Sequence, residues 1–149
     1  MINSMGKFSQ QNLKLFLFTL FLFLLGVFYY WFVRDSTIVS KYLGIHHYTK
    51  EITLFRIDWF PSFVHQFSFT IFTWLALERT LLWFSLLFWF VLNILFELGQ
   101  ALPNGYTDYF PNFLANYFKN GTYSHGDMLA LVVASFLAYV VMIKYQKKG

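Results

Sequence analysis

The hardest constraint on this chain is a run with no charge in it, "LFLFTLFLFLLGVFYYWFV" at residues 15–33. An α-helix needs about 20 mostly apolar residues to cross the hydrocarbon of a bilayer, because each backbone N–H and C=O must then be satisfied within the segment. The run is longer than a secretory signal core and no small-x-small cleavage pattern follows it. It reads as an uncleaved first span with Tyr29, Tyr30 and Trp31 at headgroup level.

Three later stretches have the same character. "SFVHQFSFTIFTWLAL" follows Pro61, a residue suited to the first turn of a helix, and predicts a span over 61–78. "LLWFSLLFWFVLNILF" predicts a span over 81–98, and the turn "ERT" between the two forces an antiparallel hairpin. "MLALVVASFLAYVVMI" predicts a fourth over 127–143, short enough to need snorkelling flanks or a thinned bilayer. Only 12% of the residues are charged and 58% are hydrophobic, too little polar surface for a water-soluble core. With no internal repeat, linker or second domain, the expectation is an all-α membrane protein: one integral domain, 1–149, folded as a four-helix transmembrane bundle.

Cysteine is absent, which excludes disulfides, thiolate metal sites and thiol nucleophiles. No basic run is dense enough for a nucleic-acid groove, so membrane lipid is the expected acidic partner. His46 and His47 are adjacent and would diverge on a helix or a strand, and neither a metal nor a cofactor is assigned. With four spans, both termini and the 78–80 turn share a side. Lys7, Lys14, Arg79, Lys144, Lys147 and Lys148 crowd the helix ends there, whereas Arg34, Lys41, Lys50, Arg56 and Lys119 spread over two long loops. That density predicts both termini in the cytoplasm.

The topology then brings distant polar residues to one depth. His65 falls near the outer end of the second helix, Glu97 and Gln100 at the outer end of the third, and His125 and Asp127 at the outer start of the fourth. At ~100° per residue, Asn93, Glu97 and Gln100 lie within about 60° of one another. Ser62, His65, Gln66, Thr70 and Thr73 share an arc of the second helix. Ala130, Ala134 and Ala138 repeat at small-xxx-small spacing in line with Asp127. The first helix departs from a greasy surface only at Thr19 and Gly26, and is expected at the periphery.

Plainer readings stand beside these. Ser124 and Asp127 have capping-box spacing, and Ser62 is a helix-start hydroxyl. His65 is either satisfied by a carbonyl or hydroxyl, or paired with Glu97. Glu97 faces the negative end of its helix dipole and carries a desolvation cost of ~2.5 kcal/mol at the bilayer centre, less near the interface. It either has a compensating partner, with His65 the best placed, or reaches interfacial water just before Gly99. In the last loop, Phe110, Phe113, Leu114, Tyr117 and Phe118 repeat at helical spacing between Pro111 and Gly121. They predict a short amphipathic interfacial helix, either an anchor or a roof over the polar cluster. Asn120-Gly121-Thr122 matches a glycosylation acceptor.

"HQFSF" opening one helix, "ELGQ" closing the next and "GTYSHGDMLA" leading into the last resemble the VanZ-like family of small bacterial membrane proteins, over residues 58–143. The match rests on Glu97-x-x-Gln100 followed by Asp127, with the family's histidine at His65. Pro61 stands where members often carry an acidic residue, with Asp58 three positions earlier. An arginine often found between the Gln and the Asp has no counterpart, and Leu131 replaces a frequent Asn. The resemblance implies a protein of the bacterial inner or plasma membrane, in a group associated with tolerance of glycopeptide antibiotics.

Two functions follow as expectations. In the first, His65, Glu97, Gln100 and Asp127, supported by Ser62, Gln66, Asn93, Ser124 and His125, handle a lipid-linked or headgroup-like ligand at the outer interface. Catalysis is left open, with His65 or Glu97 as general base. In the second, the same residues hydrogen-bond between helices and the aromatic faces meet a membrane protein partner, making the chain an accessory or assembly subunit. An ion pathway fits less well, because the cytoplasmic halves of the later helices are poor in polar groups.

Overall fold

The charge-free run belongs to a helix that already includes polar residues ahead of it. The computed structural model describes residues 10–29 and 58–146. Its first helix, α1 (Gln10–Tyr29), starts in the polar stretch Gln10, Gln11 and Asn12 ahead of the apolar run. Tyr30, Trp31 and the rest of the predicted span lie outside the described residues, as do His46 and His47. Every regular element among the described residues is α-helical. After α1 come α2 (Phe60–Ala76), α3 (Leu82–Gln100), the short α4 (Asn104–Thr107), α5 (Asn112–Asn120) and α6 (His125–Gln146).

Helix α2 is the one the others cover. Eight of its 17 residues are buried, against three of 20 in α1, and it packs on α1, α3 and α6. Its central place explains its sequence, since a helix shielded by three neighbours can carry serine, threonine and glutamine where a lipid-facing one cannot. On one side Phe67, Ile71, Trp74 and Leu75 meet Ala134, Ala138 and Met142 of α6 in the main core. Ala134 and Ala138 are fully buried and Ala130 nearly so, and their small side chains let the two backbones approach.

On the other side of α2 lies α1, antiparallel to it. Phe16 meets Phe72, Phe23 meets Phe69, and Tyr29 meets Phe60, with ring centroids about 5.5 Å apart in each case. Thr19 and Gly26, the two departures from a greasy surface, are both buried. Thr19 Oγ1 donates to the Leu15 carbonyl oxygen of its own helix at 2.8 Å. A Cβ on Gly26 would stand 2.8 Å from Val64 Cγ1, so glycine is what permits the contact.

The α2–α3 turn ends the second helix at Ala76, two residues before the predicted limit. Glu78 and Arg79 take positive φ angles of 52° and 64°, which no α-helix accommodates. The Arg79 N–H donates back to the Trp74 carbonyl at 2.9 Å, closing the helix end. Arg79 Nη1 also donates to the carbonyl oxygen of Tyr145 at 3.0 Å, putting a cation on the negative end of α6. The turn and the C-terminal end of α6 therefore share one end of the bundle. Helix α6 runs on to Gln146, beyond the expected limit of 143, and needs no thinned bilayer.

Helices α1, α3 and α6 are long and apolar enough to cross a membrane. Their outer faces are lined with exposed large side chains, among them Phe21 and Phe28 of α1, Trp83 and Leu95 of α3, and Leu129 and Phe136 of α6. A surface this greasy is untenable in water. No large apolar side chain within α2 is exposed. At the end opposite the turn, the last loop holds the predicted amphipathic helix as α5, preceded by the unpredicted single turn α4.

Candidate functional site

The end of the bundle away from the turn contains a cleft of about 970 Å³ between α2, α3 and α5. Ser62 and His65 of α2 and Asn93, Glu97 and Gln100 of α3 line it. Antiparallel packing produces this convergence: the start of α2 and the end of α3 must meet wherever a tight turn joins their other ends. Glu97 is only 8% exposed, so its carboxylate faces protein rather than lipid. His65 shares the cleft, and its ring lies 4.4 Å from that of Phe69 and 6.2 Å from that of Trp89.

Behind the cleft lies a hydrogen-bonded chain across three helices. Asn93 Nδ2 donates to Gln66 Oε1 at 2.7 Å. Gln66 Nε2 donates to Ser135 Oγ of α6 at 2.9 Å and to Thr70 Oγ1 at 3.3 Å. Gln66 is fully buried, so each of these bonds replaces one that water would otherwise supply. Asp127 enters by a second route: Ser62 Oγ donates to its Oδ1 at 2.9 Å, joining the start of α2 to the start of α6. Asp127 is buried and does not line the cleft, yet it orients Ser62, which does.

The remaining two predicted residues stand apart. Ser124 Oγ accepts the Gly126 backbone N–H at 3.1 Å and caps α6. His125 is exposed, with Nδ1 3.2 Å from the Tyr123 hydroxyl. Neither lines the cleft.

Helix α5 forms the cleft's roof. Phe118 is buried against the end of α3, so close to Gly99 that a Cβ there would run into its ring. Phe96 meets Tyr117 and Phe118. Gln100 Nε2 donates to the Tyr117 hydroxyl at 3.1 Å. Gly121 allows the chain to leave α5 beside Gln100, whose Cδ would be 2.6 Å from an added Cβ. Phe113 and Tyr117 are exposed on the same helix. Both also line the cleft, so these exposed rings belong to the roof.

Several lining residues escaped the sequence reading. Trp89 and Phe96 lie within the predicted third span, and Asn116 and Asn120 within the predicted interfacial helix, none of them assigned to the site. Helical phase had the information for the first, because Trp89 stands four residues before Asn93 and continues the Asn93–Glu97 stripe by another turn. Its Nε1 donates to Thr73 Oγ1 at 2.7 Å, which fixes the indole against α2. Asn116 and Asn120 needed the placement of α5, which no local pattern supplies. Asn120, Gly121 and Thr122, the glycosylation-type triplet, all lie on the cleft wall.

Comparison of the chain with protein-family models, with curated proteins and with solved structures finds no match. What the protein does is therefore read from the cleft itself.

Proposed function

We propose that the chain is an integral membrane protein of the cell envelope with four spans and both termini cytoplasmic. Its cleft, in this reading, receives the headgroup of a membrane lipid or lipid-linked ligand at the outer interface. The observation that carries the proposal is the cleft of about 970 Å³ walled by Glu97, Gln100, Asn93, Ser62 and His65. Its size is at the upper end for small-molecule sites.

The fourth span in this reading is α2. Its 17 residues rise roughly 25 Å, short of the ~30 Å hydrocarbon thickness, and Trp59 at one end and Arg79 at the other supply interfacial anchors. We place the chain with the VanZ-like proteins on the His65, Glu97-x-x-Gln100 and Asp127 pattern. Antibiotic tolerance is then the phenotype to examine.

The alternative, an accessory subunit whose polar residues only hold helices together, is favoured by the Gln66 chain and by the Ser62–Asp127 bond. Those bonds account for Asn93, Gln66, Ser135, Ser62 and Asp127. They do not account for the cleft itself, whose wall carries Asn116, Asn120 and Thr122 beyond that set, and this supports the ligand reading.

Glu97→Gln tests the proposal, because it keeps shape and removes charge. The purified full chain, analysed by native mass spectrometry after detergent exchange, is expected to retain a co-purified host lipid. The variant should accumulate and unfold as the native protein does, yet lose about fivefold to tenfold in lipid retention, the difference between a charge-assisted and a neutral hydrogen bond. Equal retention by both proteins, or none by either, would put the accessory-subunit reading in front.

A further inference from the structure

The chemistry of the cleft wall narrows the ligand, taking as its basis the reading of the cleft as a headgroup site. Four carboxamides line it: Asn93 and Gln100 of α3, Asn116 and Asn120 of α5. Hydroxyls of Ser62 and Thr122 join them, and among the described residues Glu97 is the one acid and His65 the one imidazole. The apolar part of the wall includes four aromatic side chains, Trp89, Phe96, Phe113 and Tyr117.

No lysine or arginine is among the described residues of this wall. The nearest basic residue of the roof, Lys119, does not line the cleft and is paired with Asp108. Phosphate is recognised by guanidinium, ammonium or clustered backbone N–H groups. Among the described residues, a phosphate placed here would meet a carboxylate and no cation. That argues against phosphatidylglycerol, and against phosphatidylethanolamine too, because its amine brings a phosphate with it. An amine alone would use Glu97 but leave Asn116 and Asn120 without a role.

A polyhydroxylated ring uses the whole wall. Each hydroxyl both donates and accepts, as each carboxamide does. A carboxylate accepts from two hydroxyls at once, and the C–H faces of a sugar ring lie against aromatic side chains. The indole of Trp89 is held for such a contact by its bond to Thr73 Oγ1 at 2.7 Å. Gln100 is held by Tyr117 in the same way, at 3.1 Å.

We infer that the cleft binds an uncharged glycosyl group, carried by a membrane lipid. Free sugar offers the same chemistry without the chain, so the test must separate the two sources. The full-length protein is placed in phosphatidylcholine nanodiscs, and its thermal unfolding is followed by tryptophan fluorescence. Four additions are compared: glucosyl diacylglycerol, methyl glucoside in solution, phosphatidylglycerol and phosphatidylethanolamine.

Glucosyl diacylglycerol is expected to raise the midpoint, and the two phospholipids to leave it unchanged. Methyl glucoside should act only at far higher concentration. Asn116→Ala should weaken glucosyl diacylglycerol binding on the order of tenfold, the cost of one lost hydrogen bond to a ligand hydroxyl. Asn116 is exposed, so its removal should leave the ligand-free midpoint where it was. Trp89→Phe, which keeps a ring but loses the bond to Thr73, should weaken binding by a smaller factor.

Stabilisation by a phospholipid alone would overturn the glycosyl inference and leave the headgroup site standing. Equal potency of methyl glucoside and glucosyl diacylglycerol would overturn the lipid-borne source. No response to any addition would remove the inference together with the reading it rests on.

Discussion

Gln66 shows what a single side chain can do when water is excluded. Its amide accepts from Asn93 and donates to Ser135 and Thr70, so α2, α3 and α6 are tied through one residue that is fully buried. Interhelical hydrogen bonds in membranes average ~0.6 kcal/mol, so Gln66→Leu, which removes two of them along with the bond to Thr70 within α2, should destabilise the bundle by roughly 1 kcal/mol. Thr19→Val is the control, because Thr19 bonds only within its own helix. Equilibrium unfolding in mixed detergent micelles should show a loss for the first and almost none for the second. Equal effects would mean that the chain across the helices contributes nothing beyond polarity. The sequence placed Gln66 on a polar arc but could not make it the hub, since that role depends on Asn93 and Ser135 arriving from other helices. Glu97 was legible in direction, from its phase with Asn93 and Gln100. The aromatic surroundings of His65 were not, because the contact with Trp89 depends on how α2 and α3 pack together.

Elements obey the same division between local and assembled information. Pro61 in the first turn of α2 and Ser124 before α6 are start signals visible in the chain, and both helices begin beside them. The end of α2 was misplaced because Glu78 and Arg79 are not residues from which a left-handed turn is read. What holds them there is the Arg79 bond to α6, a tertiary contact. Glycine positions mark where elements touch. Gly26 lets α1 lie on α2 at Val64, and a side chain there must displace either Val64 or the helix that carries it. Gly26→Leu should detach α1 at that end, raising the protease sensitivity of the α1 segment while α2, α3 and α6 stay packed. Val64→Ala in the same chain should restore much of the protection by making room. Unchanged proteolysis of the single variant would show that α1 is held elsewhere, at Phe16 and Phe23.

For the molecule as a whole, the decisive quantity is which end each segment occupies, because the cleft exists only if the start of α2, the end of α3 and the start of α6 share one. The bundle satisfies this by alternation: α1 is antiparallel to α2, the turn reverses α3, and Arg79 joins the turn to the far end of α6. Three helices meet the length and hydropathy of a span while α2 does not. At 17 residues α2 is the shortest of the four, and it is the most covered. In a bilayer this arrangement requires the turn and the end of α6 to face one compartment and α5 the other. Native cysteine is absent, so single cysteines report without background. Thr80, Gln146 and Tyr109 are all exposed. Cysteines replacing Thr80 and Gln146 should be protected from an impermeant thiol reagent added outside intact cells, and one replacing Tyr109 should react. Permeabilisation should expose all three, which separates protection from burial. The reverse pattern would keep four spans and invert the charge-density argument, turning the cleft toward the cytoplasm. Reaction of Thr80→Cys and Tyr109→Cys from the same side would mean that α3 does not cross. The cleft would then lie on a peripheral surface, where a carboxylate at the Glu97 position carries no membrane cost.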